Sequence, residues 1–147
     1  MPRRIRRPND FSSLMDKLAG SDESLFETYA DLLIFTASLG FHHGRRKAFK
    51  QVAGQIPYTT FENRASFPTV INCIALGAKN DLSILKDENS DDRLTLFEEY
   101  ACGGLEIVSS KLESGFLPKD AVIDLCTATQ DKSNISSTLL DEYDLDL

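Results

Sequence analysis

The amino-acid sequence predicts an all-α protein, a compact orthogonal bundle of about five helices that leaves room for one short β-hairpin. Two observations predict this class. Apolar residues recur at the three-, four- and seven-residue spacing of a helix face along most of the chain. No long segment alternates apolar and polar residues as a half-buried strand does. The length of 147 residues is enough to build one hydrophobic core.

The first two helices are predicted from their caps and apolar stripes. Residues 10–19 carry an apolar stripe, and Gly20 ends that helix. Ser24 and Glu27 fit a capping box, in which the two side chains bond backbone N–H groups at a helix start. The helix that follows ends at Gly40, and its second half is apolar nearly all round, which predicts a central position in the core.

The remaining elements follow a looser segment. Within it, residues 47–52 and 55–58 are the ones that can pair as the hairpin. Dense apolar spacing predicts helices over residues 68–78, 91–112 and 118–127, and the first two of these join the second helix at the centre of the bundle.

Charge divides the chain into three parts. The net charge is −7, yet residues 1–50 hold nine basic and six acidic side chains, a balance of +3, which leaves −10 for the rest. We predict a basic arm at residues 1–8, a helical domain at 9–128 and an acidic tail at 129–147. The whole molecule repels nucleic acid, so only local basic patches can bind it.

The sequence predicts a cytoplasmic protein. No run reaches the roughly 18 to 20 apolar residues that a bilayer-spanning helix needs. The basic start lacks the apolar stretch of a secretory signal. Cys73, Cys102 and Cys126 are odd in number and far apart, and we predict reduced thiols in the core.

No constellation in the sequence predicts catalysis, a metal site or a cofactor. The nucleophile elbow, the phosphate-binding loop and the His-Glu-x-x-His zinc motif are all absent from the sequence. The carboxylate groupings Glu27 with Asp31 and Glu98 with Glu99 are explained more simply as solvated side chains or as acids near a helix N-terminus. We therefore predict a non-enzymatic protein, and a metal-dependent nuclease built on those carboxylates is the alternative.

Basic residues in two segments form the candidate nucleic-acid footprint. Such cations neutralise phosphates without reading base sequence. They form one surface only if the fold brings the arm close to the residues that follow the second helix. A solvated or tail-binding arm is the alternative. The seven candidates are Arg3, Arg4, Arg6, Arg7, Arg45, Arg46 and Lys47.

A second candidate surface would bind a protein partner. Two adjacent glycines inside a helix each cost roughly 1 kcal/mol relative to alanine, so the pair needs a reason. Close approach of another helix is one, and a kink or a groove for a partner is the other. The tail adds apolar side chains among acids, a mixture typical of segments that order on contact. The candidates are Gly103, Gly104, Leu139, Leu140 and Tyr143.

Three stretches resemble a known family. They are residues 3–8, residues 26–41 with Gly44 to Arg46, and residues 96–101 with 103–107. In order and spacing they resemble the small Dnd system-associated proteins, the fourth family encoded beside DNA phosphorothioation genes. The resemblance implies a bacterial or archaeal defence setting, in which sulfur-modified DNA marks self and linked proteins act on unmodified DNA. It implies no active residues.

The expected function combines the resemblance with the charge pattern. We expect a non-enzymatic accessory or adaptor component of a phosphorothioation-linked restriction or antiphage system, which contacts duplex DNA or another protein of that system through basic residues. The alternative is a protein-only interaction module that acts through the acidic tail and a helix surface. Neither hypothesis involves a membrane, and both leave homo-oligomerisation open.

Overall fold

The computed structural model describes residues 2–127, within which the chain forms two strands and six α-helices. The predicted mostly helical fold is confirmed. Three single 3₁₀ turns connect the elements, at Asn9–Phe11, Leu82–Leu85 and Asp87–Asn89. The elements are β1 (Ile5–Pro8), α1 (Ser12–Leu18), α2 (Tyr29–His42), β2 (Val52–Ile56), α3 (Tyr58–Glu62), α4 (Ser66–Lys79), α5 (Ser90–Glu113) and α6 (residues 118–127).

A small antiparallel sheet is present, but the predicted pairing of residues 47–52 with 55–58 is wrong, because the two strands come from distant parts of the chain. Strand β1 pairs with β2 so that Ile5 lies opposite Ile56 and Arg7 opposite Gly54, with an irregularity after Arg7. The first strand therefore comes from the segment in which the sequence predicted a basic arm. Ile5 is fully buried, so β1 contributes to the core as well as to the sheet.

Helix α2 begins and ends later than predicted. Thr28 is its N-cap, because the Thr28 hydroxyl accepts a hydrogen bond from the backbone N–H of Asp31 at 3.1 Å. The hydroxyl of Ser24 accepts instead from the N–H of Ser21 at 3.0 Å, within the preceding turn. The predicted capping box is therefore wrong, and so is the cap at Gly40, which lies inside the helix.

Glycines allow α2 and α5 to approach closely. A Cβ atom on Gly40 would overlap the carbonyl oxygen of Tyr100, and one on Gly104 would overlap the carbonyl oxygen of Thr36. Backbone atoms cannot yield as a flexible side chain can, so only glycine fits at these positions. Of the two glycines that the sequence singled out in α5, close approach of another helix is confirmed for Gly104.

Helix α3 is an element that the sequence pattern did not predict. It is only five residues long, too short for a periodic stripe, and Pro57 precedes it. Its role is to bury Phe61, whose ring lies edge-on to Phe97 of α5 with 5.8 Å between the ring centroids. Aromatic pairs favour this arrangement. Other fully buried side chains of the core are Met15, Leu18, Leu32, Leu33, Ile71 and Leu105.

Helices α4 and α5 match their predicted spans to within two residues. Asn80 ends α4 in the left-handed conformation, with φ of 52°, and its N–H bonds the carbonyl oxygen of Leu76 at 2.7 Å. Asparagine tolerates this conformation better than most residues do. Residues 82–85 then form a 3₁₀ turn.

The chain divides after Ser109 into two units, and the second holds the end of α5 and helix α6. Inside it, the ammonium group of Lys111 bonds a carboxylate oxygen of Asp124 at 2.5 Å. Gly115 has φ of 102°, which a residue with a side chain rarely adopts, and it permits the turn between α5 and α6.

The three cysteines differ in exposure. Cys102 is buried in α5, as predicted, but Cys73 and Cys126 are exposed, so the core position predicted for those two is wrong. None of the helices in residues 2–127 is both long enough and apolar enough to cross a membrane.

Candidate functional site

One buried carboxylate of helix α5 binds basic residues of the N-terminal segment. The side chain of Glu98 is completely buried, and its two oxygens accept five hydrogen bonds. Arg3 donates two of them, at 2.8 and 3.0 Å. Arg6 donates three, two from its guanidinium at 2.7 and 3.0 Å and one from its backbone N–H at 2.6 Å.

The arginines of this cluster offset the free-energy cost of burying the charged carboxylate of Glu98. A carboxylate inside a protein is tolerated when opposite charges and hydrogen bonds replace the water it loses. The hydrogen bond to Glu98 also raises the pKa of Arg6 above its ordinary value. Arg3 extends the network, because its guanidinium donates to the hydroxyl of Thr95 at 2.9 Å.

The second basic segment pairs with two further carboxylates of the same helix. Arg46 contacts Glu99 at 2.6 Å, while Arg45 and Lys47 both contact Glu106, at 3.2 and 2.6 Å. Hydrogen bonding to Lys47 lowers the pKa of Glu106, and the same bond raises the pKa of Lys47. In contrast to the Glu98 cluster, these cations are 40–49% exposed.

The backbone after α2 fixes this second segment against α5. The N–H of Arg45 bonds the carbonyl oxygen of Gly40 at 2.8 Å, and the N–H of Lys47 bonds that of Glu99 at 3.0 Å. A Cβ on Gly103 would overlap the carbonyl oxygen of Arg45, so this glycine lets the segment lie against the helix. The position of the three cations therefore depends on Gly103.

The two remaining arginines of the first segment have different surroundings. The guanidinium of Arg7 stacks on the ring of Tyr29 at 4.1 Å, a cation–π contact. The hydroxyl of Tyr29 in turn donates to a carboxylate oxygen of Asp16 at 2.5 Å, and this bond raises the pKa of Tyr29. Arg4 is exposed. Its side chain borders a surface cavity of about 250 Å³ beside Tyr58 and Glu62.

The structure thus brings both predicted basic segments to one helix, but it pairs most of their charge internally. Five of the seven candidates form ion pairs with α5 carboxylates: Arg3, Arg6, Arg45, Arg46 and Lys47. The predicted partner residues Gly103 and Gly104 are buried and contact backbone of this chain. Leu139, Leu140 and Tyr143 lie outside the described residues.

Sequence reasoning placed Glu98 among solvated carboxylates, and that interpretation is wrong. Glu98 is 1% exposed. The sequence did contain a signal, because Glu98 lies four positions after Leu94 and three before Ala101, on the buried stripe of α5. A carboxylate on a core stripe requires cationic partners, and the arginine-rich N-terminal segment was the obvious source of them.

Neither the buried cysteine nor the usual metal-binding side chains show a reactive arrangement within residues 2–127. Burial raises the pKa of the Cys102 thiol to about 11, so the reactive thiolate is scarce at neutral pH. Residues 2–127 contain no group of three or more His, Cys, Asp or Glu side chains arranged to hold a metal ion.

Comparison with known families now places the chain. A family model described as DNA sulphur modification system-associated protein 4 matches residues 4–144. The chain belongs to this family. The match covers the first basic segment from Arg4 onward, the whole second basic segment and all of α5, and it confirms the resemblance seen in the sequence. No curated protein and no solved structure matches the chain.

Proposed function

We propose that this family member is a non-catalytic adaptor in a restriction or antiphage system linked to DNA sulphur modification, and that it acts by binding another protein of that system. One observation carries the proposal. Five of the seven cations that would form a DNA footprint already pair with carboxylates of α5, and Arg7 stacks on Tyr29. A molecule of net charge −7 with its cations so engaged is poorly suited to a polyanion.

The surroundings of Glu98 support the non-catalytic part of the proposal. A nuclease carboxylate must offer lone pairs to a metal ion or a water molecule. Here, Arg3 and Arg6 donate five hydrogen bonds to Glu98, so a metal ion would have to displace two guanidinium groups. The arrangement is suited to holding the N-terminal segment in place.

The test is affinity purification of the tagged protein from its native host, with half of each lysate treated with nuclease. We expect other components of the DNA sulphur modification system in both halves, because the contact is between proteins. Recovery of an unrelated set of proteins would refute the adaptor proposal. Loss of the partners after nuclease treatment would show that DNA bridges them and would favour direct DNA binding instead.

DNA contact is a second candidate, favoured by the exposure of Arg45, Arg46 and Lys47. Ion pairs at this exposure are worth at most about 1 kcal/mol, so phosphates can compete for these cations. Arg4 adds a further exposed cation. If this candidate is right, duplex affinity measured by fluorescence anisotropy falls steeply with salt, as counterion release requires.

Two matched variants separate the two candidate functions. The triple substitution of Arg45, Arg46 and Lys47 to Gln removes the exposed cations, whereas Lys17→Gln removes an exposed cation from α1. DNA binding through the predicted segment requires that the triple variant lose affinity and that Lys17→Gln retain it. The adaptor proposal instead expects negligible duplex binding by the unaltered protein at physiological salt, with or without phosphorothioate linkages.

A further inference from the structure

The turn between α4 and α5 presents two leucines to solvent. Leu82 is 73% exposed and Leu85 is 39% exposed. In a 3₁₀ turn, side chains three positions apart eclipse one another, so the two leucines lie on the same side. Ile84, between them, points inward and packs with Ala75 and Leu96. The turn is therefore anchored on one side and apolar on the other.

Hydrogen bonds to the backbone hold this turn in shape. Asp81 accepts from the N–H of Ser83 at 3.0 Å, and the side-chain amide of Asn89 donates to the carbonyl oxygen of Ser83 at 2.7 Å. Arg93 donates to the carbonyl oxygens of Ile84 and Lys86, both at 2.7 Å. A leucine pair on so fixed a backbone cannot fold inward. Little ordering entropy remains to be lost when a partner binds.

Carboxylates surround the two leucines along the chain. The hydrogen bond from Ser83 lowers the pKa of Asp81. Two exposed lysines, Lys79 and Lys86, oppose five exposed acids. The acids are Asp81, Asp87, Glu88, Asp91 and Asp92. This net negative charge disfavours a phosphate backbone and favours a positively charged complement.

We propose that Leu82 and Leu85 form the docking surface for a protein partner that carries an apolar pocket rimmed by lysine and arginine. The leucines supply the apolar anchor at the centre, and the surrounding carboxylates supply orientation and selectivity. This inference deepens the adaptor function proposed above and rests on it, because it names the surface through which the adaptor binds.

Site-specific photocrosslinking in the native host tests the surface directly. The photoreactive residue p-benzoylphenylalanine is placed at Leu82 and, as the control, at Leu25, which is 43% exposed in the turn before α2. We expect a crosslinked product at Leu82 alone, and mass spectrometry of the joined peptide should show apolar residues flanked by Lys or Arg. Equal yields at the two positions, a crosslink to a second copy of this chain, or an acidic joined peptide would each overturn the proposal.

Binding measurements with the partner recovered by affinity purification separate this inference from the adaptor function. The double variant Leu82→Ala with Leu85→Ala should raise the Kd at least tenfold, while Leu25→Ala leaves it unchanged. Asp87→Asn with Glu88→Gln should raise the Kd severalfold and flatten its salt dependence. If the leucine variant binds normally, the docking surface is wrong and the adaptor function stands. If the unaltered protein recovers no partner from the system, the adaptor function itself fails.

Discussion

At the scale of single residues, Glu98 shows that the basic N-terminal segment stabilises the fold. Its carboxylate is buried, and both oxygens face N–H donors of Arg3 and Arg6. The same positive charges that suggested a DNA footprint are therefore the counterions of a core residue. Substitution of Glu98 should therefore destabilise the protein, which would not be expected if the N-terminal segment were a solvated arm.

Glu98→Gln should lower the free energy of unfolding by about 2–3 kcal/mol, because the amide removes the negative charge and turns an N–H donor toward other donors. The loss stays below that of a fully buried pair, since Arg3 and Arg6 remain 28% and 34% exposed. Urea denaturation measures it. Glu99→Gln is the matched control, with an expected loss under about 1 kcal/mol because Arg46 is 44% exposed. Equal losses in both variants would contradict this account of Glu98.

Gly104→Ala should destabilise the protein by at least about 2 kcal/mol, although alanine favours helix formation. The added methyl group would overlap the carbonyl oxygen of Thr36, and neither helix backbone can move without disturbing the core. Thermal unfolding measures the effect. Gly77→Ala in α4 is the control, because the three atoms nearest to its methyl group all belong to the ring of Phe41, a side chain that is 36% exposed and can yield more easily than backbone. A similar loss at both positions would show that helix packing is not the cause.

At the scale of elements, strand β1 turns the N-terminal segment into part of the fold. It contributes a fully buried side chain, Ile5, a ladder with β2, and the two arginines that neutralise Glu98. Removing the strand would therefore open the core, leave β2 unpaired and leave a buried carboxylate without its counterions.

Deletion of residues 1–8 should produce a protein that unfolds at much lower temperature or fails to fold. Circular dichroism and thermal unfolding measure this loss. Arg4→Ala removes an exposed cation from the same segment and should leave the melting temperature unchanged within about 2 °C, since surface substitutions cost little. If the truncated protein had the same melting temperature as the full chain, the segment would be a dispensable arm.

The elements differ in how well the sequence predicted them, for physical reasons. Helices α4 and α5 carry long apolar stripes, and their spans were predicted to within two residues. The sequence did not predict which segments pair in the small sheet. Strands β1 and β2 are short, and their pairing is set by tertiary contacts around Ile5 and Glu98. The N-cap of α2 was also predicted wrongly, because Ser24 and Thr28 are both good cap residues and only packing selects between them.

At the scale of the whole molecule, folding partly cancels the charge split along the sequence within residues 2–127. The basic segments near the N-terminus lie against the acidic residues of α5, so opposite charges distant in sequence become neighbours. The exposed acids of residues 81–92 remain without a comparable internal complement among the described ion pairs, apart from the contact of Asp91 with Arg3. The surface available to a partner is therefore more acidic than the N-terminal half of the sequence suggests.

This cancellation predicts a window of pH in which the Lys47–Glu106 pair stabilises the fold. The folded-state pKa of Glu106 is lowered, so its contribution is present above its ordinary value and is lost as the pH falls through the folded-state pKa. The folded-state pKa of Lys47 is raised, so its contribution is complete below its ordinary value and is lost as the pH rises through the folded-state pKa. The pair should therefore stabilise the protein between about pH 5 and pH 10.

Urea unfolding of the unaltered protein and of Glu106→Gln across pH 3 to 11 measures this window. The difference in unfolding free energy should be constant near neutrality, shrink below about pH 4.5 as the carboxylate is protonated, and shrink again above about pH 10.5 as the ammonium group loses its proton. It should be small throughout, because both groups are more than a third exposed to water. Glu113→Gln, at an exposed position of α5, should show no such window. A difference for Glu106→Gln that stayed constant into acid would mean that its carboxylate stabilises the fold by packing rather than by charge.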